Sequence, residues 1–280
     1  MKKTTMVFGW LAVSLTAPAQ KTNPIDSILG EGLALYRLET ASWLATETFL
    51  TKYRDQRGNI GGYFSYEMNN RVQCVFFSKA EEPVVIAAIS FDTSLNPGTI
   101  VAYSYKRAFT NHERRLYTIR RNALEQINSD TFFARYEHTS FNLVPVADSS
   151  CGKVYILTEP EVDGVVIFGN DYLLQYSKRD SLLARRALHS GIIPVNFGKE
   201  TDPELIQTFH FHSREAGTFI SPTDICTLML FRRFARWKLH TVMSKTHVSE
   251  WDLESGKLTI HTRGEWSKLN SNKAFVGGEF

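Results

Sequence analysis

The chain has 280 residues with an apolar share of 43% and no low-complexity run, so a folded core is expected, in one large domain or two modest ones. Its formal net charge is only +3. A balance this close to neutral argues against nucleic-acid binding, which uses a strongly basic field.

Lys2 and Lys3 are followed by an apolar stretch from Met6 to Leu15 and by Ala17-Pro18-Ala19. This is the pattern of an export signal over residues 1–19, with Gln20 as the new N-terminus. Its loss leaves 30 basic against 29 acidic residues. The apolar stretch is too short to remain as a membrane span, and no later segment approaches 18 uninterrupted apolar residues. The expected location is therefore periplasmic or secreted, with no integral membrane segment after cleavage. Cys74, Cys151 and Cys226 are too few for a disulfide framework. Two of them can pair, but three buried free thiols is the simpler reading.

Taken in order, residues 26–55 read as a helix, with Leu33, Tyr36, Ala41, Leu44 and Phe49 at helical spacing and Gly58, Gly61 and Gly62 beyond its end. Two strands follow around an Asn69-Asn70 turn, and then two more, "PVVIAAISFD" and "TIVAYSYKRAF". Thr110 and Glu113 form a capping box opening a second helix. Its Arg114, Arg115, Arg120 and Arg121 are a possible anion site or, more simply, a solvated face. A second region begins near residue 146. "KVYILTE" and "GVVIFGNDYLLQYS" read as strands, the latter interrupted at Gly169-Asn170. "SLLARRALHSG" is ambiguous between helix and strand. "IIPVNF" and "ELIQTFHFHS" read as strands and "PTDICTLMLFRRFARWK" as a helix. "LHTVMSKTHVSEWDL" and "KLTIHTR" close the fold as a strand pair. The expected class is α+β, a mixed sheet with flanking helices. An N-terminal region over residues 20–145 and a C-terminal one over 146–280 is one division; a single continuous domain is the other.

The stretch "TFHFHSREAGTFISPTD" concentrates the chemistry. Residues i and i+2 of a strand share a face, so His210 and His212 project together while Phe209 and Phe211 are expected to turn into the core. Ser221, Pro222 and Asp224 suit the N-cap and first turn of the following helix. Such a helix mouth beside the strand would aim Asp224 at the two imidazoles. Two His and one carboxylate leave a fourth tetrahedral position for water, as in catalytic zinc sites. His189 and His240 are candidates to approach the site, but each reads first as a structural histidine. "GND" at 169–171 reads as a turn or bulge.

His-x-His, a short loop and Ser-x-x-Asp on a helix resemble the signature of the JAMM (MPN-type) zinc metalloproteases. The loop, Ser213 to Ile220, is one residue longer than is usual there, and Ser213 stands where that family carries proline. The resemblance implies a deaminase-like α/β fold in the C-terminal half. It implies one zinc ion on His210, His212 and Asp224, with Ser221 stabilising an oxyanion. It requires an upstream glutamate as general base: Glu161, 49 residues before His210, or failing that Glu159. The chain as a whole is also similar to exported proteins of Gram-negative bacteria, a likeness that carries no function. The expectation is an exported hydrolase cleaving a peptide or isopeptide bond in a peptide or protein substrate. The alternative is a non-catalytic binding module on a degenerate scaffold of this type. A third arrangement keeps the metal in a structural role, closed by a fourth protein ligand such as His240.

Overall fold

The computed structural model describes residues 23–197, 207–214 and 216–271, and the expected export signal lies outside them. The first helix, α1 (Pro24–Lys52), is opened by Asn23, whose side chain accepts from the Ile25 amide at 3.2 Å, and by Pro24 in its first turn. Strands β1 (Ile60–Met68) and β2 (Arg71–Ser78) form a hairpin. At its tip Asn69 and Asn70 both take positive φ, 52° and 57°, the conformation such tight turns require. β3 (Val85–Asp92) and the short β4 (Val101–Tyr103) complete an antiparallel sheet in the order β1-β2-β3-β4.

Helix α2 (Asn111–Ser129) carries the expected capping box in full. Glu113 also accepts from Tyr66 at 2.7 Å and from both terminal nitrogens of Arg107 at 2.5 and 2.6 Å, tying the helix start to the first sheet. The four arginines of α2 do not converge on one site: Arg115 bonds Asp180 at 2.9 Å, Arg121 pairs with Glu125, and Arg114 and Arg120 lie over Phe109 and Phe77.

β5 (Thr139–Ala147), β6 (Gly152–Pro160), β8 (Tyr172–Tyr176) and β9 (Leu182–Ala187) form a second antiparallel sheet in the order β5-β6-β8-β9. β7 (Val165–Gly169) pairs instead with β10 (Ile192–Asn196). The interruption expected at Gly169-Asn170 is therefore a change of sheet, made through φ values of 89° and 54°. The last sheet runs β11-β12-β13-β14. In it β11 (Gln207–Phe211) is parallel to β12 (Leu239–Met243), with α3 (Pro222–Ala235) between them in the chain. β13 (His247–Asp252) and β14 (Lys257–Thr262) follow antiparallel, and α4 (Arg263–Asn270) ends the described chain. The closing pair expected from sequence is thus three strands, because "LHTVMSKTHVSEWDL" turns back on itself between Met243 and His247.

The class is α+β, with several sheets and four helices among the described residues. The division at residues 145/146 falls inside β5, which pairs with β6 from Thr139↔Pro160 to Ala147↔Gly152. One core joins both sides of that point, with Leu35, Phe49, Val72 and Phe76 packed together with Val144, Tyr155, Leu173 and Cys226. The three thiols are free, but only Cys74 and Cys226 are buried; Cys151 is exposed beside Asp148.

Two features of this core bear on the site. α1 crosses the start of α3 at Gly32, where an added Cβ would lie 2.7 Å from Ile225 Cβ and 3.0 Å from the Pro222 carbonyl oxygen. The crossing is closer than any side chain allows. Farther along α1, buried Glu39 shares the amide of Asn142 with Glu159, which accepts from it at 2.9 Å. Burial first, and then the Glu159 charge, pushes the Glu39 carboxyl well above its ordinary 4.5; burial likewise raises Glu159. Tyr63, Cys74, Arg120 and Cys226 are the other titratable groups that feel Glu39.

Two outcomes follow. Gly32→Ala gains about 1 kcal/mol of helix propensity but forces an overpacking cost of about 1–3 kcal/mol, so thermal unfolding should show net destabilisation of α3's seat. Glu39 stabilises the fold fully only below pH 4.5, while it is protonated in both states, and that contribution is lost as pH rises through its elevated folded value. Glu39→Gln should therefore flatten the fall in melting temperature from pH 4.5 upward and melt higher than the parent at pH 8. Equal slopes for the two proteins would contradict this.

Candidate metal centre

Strand β11 shows strict alternation: Thr208 and His210 are buried, Gln207, Phe209 and Phe211 exposed. The two phenylalanines, 48% and 49% exposed, face solvent and not the core as expected. Alternation separates two faces but does not say which is covered. Here the covered face is the polar one. His210 lies under Phe168, ring centroids 5.4 Å apart, and His212 continues the ladder by donating its amide to the Met243 carbonyl at 2.8 Å.

Asp224 is placed by its own capping box. Its Oδ2 accepts from the Ser221 amide at 2.8 Å, and the Ser221 hydroxyl accepts from the Asp224 amide at 3.0 Å. The helix start thereby fixes the carboxylate, and its Oδ1 points away from the cap with no hydrogen bond.

A fourth group completes the cluster. His189 follows β9, in a segment held by the Leu188 amide donating to the Asp171 carbonyl at 2.7 Å. Gly169, with φ 89°, lets β7 pass under it. An added Cβ there would stand 2.2 Å from the Gly191 carbonyl oxygen and 3.3 Å from His189 Cβ. Four ligand atoms result, within 4.8 Å of one another and on buried residues: His189, His210, His212 and Asp224. His189 Nε2 lies 3.1 Å from His212 Nε2 and 3.3 Å from Asp224 Oδ1. His210 Nε2 is 3.6 Å from Asp224 Oδ1, and His212 Nε2 is 3.2 Å from Asp224 Oδ2. The edge of a tetrahedron around a zinc-sized ion is about 3.3–3.4 Å for ligand distances of about 2.0–2.1 Å. These four separations lie near that edge, two of them to Asp224 Oδ1 and one to its Oδ2.

Electrostatics agree with a site built for a cation. Burial opposes charge on His189, yet the Asp224 and Asp171 carboxylates outweigh it and hold its pKa up to about 10. Burial pushes His210 down to about 4. Burial alone would raise Asp224, but the neighbouring histidines, His189 foremost, keep it well below the usual carboxylate range. The carboxylates of Asp224 and Asp171 thus favour positive charge at His189. His210 Nε2 and Asp224 Oδ1 nonetheless stay buried without a hydrogen-bond partner. A bound cation would satisfy both, so the residues present fit a metal ion.

Outer groups orient these donors. Asp171 Oδ2 lies 3.6 Å from His189 Nδ1, while its Oδ1 accepts from the Thr158 amide at 3.1 Å. His240 is not a ligand. Its Nε2 is 2.9 Å from His210 Nδ1, and its Nδ1 is 2.7 Å from Thr208 Oγ1. If His210 ligates through Nε2, its Nδ1–H donates to His240, whose own proton then sits on Nδ1 toward the threonine. One proton arrangement runs through the whole chain.

The structure therefore brings His210, His212 and Asp224 together as expected and adds His189. Glu161 is not among the gathered groups: it is exposed in the turn after β6, where its amide donates to the His138 carbonyl at 2.9 Å. Glu159 is engaged with Asn142. The Ser221 hydroxyl serves the cap and contacts Thr223 Oγ1 at 2.9 Å. The four residues gathered here could hold a metal ion. From sequence His189 reads first as a structural histidine and Asp171 as part of a turn, because no local periodicity marks either; the sheets bring them to the site. Comparison with protein-family models, with curated proteins and with solved structures returns no match.

Proposed function

We propose that this chain is an exported binding module whose fold is stapled by one zinc ion on His189, His210, His212 and Asp224. The observation that carries the reading is the set of four buried residues whose ligand atoms lie within 4.8 Å of one another, with His210 Nε2 and Asp224 Oδ1 lacking a hydrogen-bond partner. Three imidazoles and a carboxylate suit zinc better than magnesium or calcium, which take oxygen ligands in larger numbers. The order His-x-His then Ser-x-x-Asp is shared with the JAMM pattern. In this reading the scaffold is a degenerate relative in which His189 takes the position that a hydrolase reserves for water. The hydrolase alternative needs an open coordination position and a base nearby, and Glu161 is exposed outside the cluster. The binding role is supported by β11 itself. The metal holds one face of this strand, which lies at the edge of its sheet, while the other face presents Phe209 and Phe211 with ring centroids 5.7 Å apart. An immobilised edge strand with an exposed aromatic pair suits a peptide or protein partner adding along it.

Zinc should copurify at about one ion per chain. At a thousandfold excess over Kd it should stabilise by about 4 kcal/mol, a rise in melting temperature on the order of 10 °C. His189→Ala should lower zinc affinity as severely as His212→Ala. If His189→Ala leaves it intact, the shell is three protein ligands plus water and the hydrolase reading gains.

Cobalt substitution gives an independent measure. A closed four-coordinate shell should give intense visible absorption that azide and hydroxamate leave unchanged. A spectrum that shifts with either ligand would mean an open position and would overturn the structural role.

Export is tested by the mass of the mature chain from a Gram-negative host. Cleavage should leave Gln20 as the first residue, in the periplasm or medium. An intact chain retained in the cytoplasm would remove that part of the proposal.

A further inference from the structure

A cavity of about 330 Å³ opens between α1, α3 and the turn joining β6 to β7, a size that suits a small organic ligand. None of its lining residues belongs to the metal cluster. Its walls are aromatic: Trp43 from α1, Phe231 and Phe234 from α3, and Phe197 after β10. Trp43 and Phe197 approach Phe231 edge-on, with ring centroids at 5.8 and 6.2 Å. Among the described residues the charged groups in the lining are Glu159 and Asp163, with no lysine, arginine or histidine.

Glu159 is not a solitary surface acid. The single amide nitrogen of Asn142 donates to it and to buried Glu39, so two carboxyls are drawn together, and Glu159 is the one that lines the cavity. Among the described residues neither makes an ion pair. The cationic influence on Glu39 comes from half-buried Arg120, whose Nε has no partner. Two close carboxyls with no counter-ion disfavour full ionisation, and both are raised accordingly by burial.

The chemistry of the walls selects the missing partner. An anion would meet Glu159 and Asp163. A hydrated metal ion needs more oxygen ligands than this largely hydrocarbon lining supplies. A neutral apolar molecule would leave Glu159 uncompensated. A cation with a methylated or alkyl shell satisfies both parts, since aromatic faces attract it and a carboxylate neutralises it. We propose that this cavity binds a small quaternary ammonium ion, its charge facing Glu159 and its methyl groups against Trp43, Phe231 and Phe234.

The test is calorimetric titration of the full, zinc-loaded mature chain at constant ionic strength. Choline is compared with 3,3-dimethylbutan-1-ol, which has the same shape and no charge. Choline should bind in the sub-millimolar range and the alcohol at least about tenfold more weakly. Glu159→Gln should weaken choline about tenfold and leave the alcohol unchanged, while Trp43→Leu, at a partly exposed position, should weaken choline with the fold intact by circular dichroism. Zinc content should be the same in both variants. The proposal is overturned if the alcohol binds as tightly as choline. It is equally overturned if folded wild-type protein takes up no choline at about 10 mM, or if Glu159→Gln retains full affinity.

Discussion

The conformation of the site depends on one carboxylate performing two tasks. Asp224 closes the capping box of α3 with one oxygen and presents the other to the histidines. Because the cap fixes the side chain, the ligand direction is set by helix initiation before any metal is present. The helix start is in turn fixed from behind, since Gly32 lets α1 press on Ile225, the next residue in α3. A site drawn from the C-terminal half is therefore seated on the N-terminal helix. With β5 spanning residue 145 as well, elements from both halves position the site.

What was legible in the sequence was the local part. The pair His210 and His212 and the helix-start Asp224 follow from a period of two and from capping chemistry, both of which operate within a few residues. The capping boxes at Thr110 and Ser221 and the Asn69-Asn70 turn were legible for the same reason. Three things were not. β5 was overlooked because "TSFNLVPVA" mixes polar residues and a proline into a strand buried only at Leu143, Val144 and Pro145. Phe209 and Phe211 were assigned to the wrong face, because hydrophobicity ordinarily marks the inside and here the ligands took it. His189 was set aside because its role exists only after β7, β9 and β11 have been brought together by the sheets.

The two buried polar neighbourhoods of this fold balance charge differently. Around Asp224 three imidazoles face one carboxylate, which stays well below the usual range while His189 is held up and His210 is pushed down. Around Glu39 and Glu159 the partner is a neutral amide, and ionisation is suppressed. Cys226, two residues beyond Asp224 in α3, lies within reach of both. Burial raises its thiol well above the ordinary value, and Glu39, Asp171 and Glu159 add to the rise. A thiol so placed is a packing group and not a nucleophile. The one exposed thiol, Cys151, is far from neutral company as well, facing Asp148, whose carboxylate is stabilised by Ser150 and the Cys151 amide.

The spacing of the ligands explains why a metal would matter to this fold more than any one of its contacts. His189, the His210–His212 pair and Asp224 come from three segments, and closing the chain between successive segments costs conformational entropy that grows slowly with length. Local contacts do little to offset that cost: β11 is a five-residue strand at the edge of its sheet, paired among the described residues only with β12. A metal ion held by these donors would tie all three segments at one point and, by binding only the folded arrangement, would convert its affinity into fold stability. Removal of such an ion would act on the fold. It would leave three imidazoles and a carboxylate facing each other in a buried space, and would free the strand whose outer face carries Phe209 and Phe211. The ordered aromatic edge and the buried donor set are thus opposite sides of the same five residues, and whatever occupies the inner side governs how rigidly the outer side is displayed.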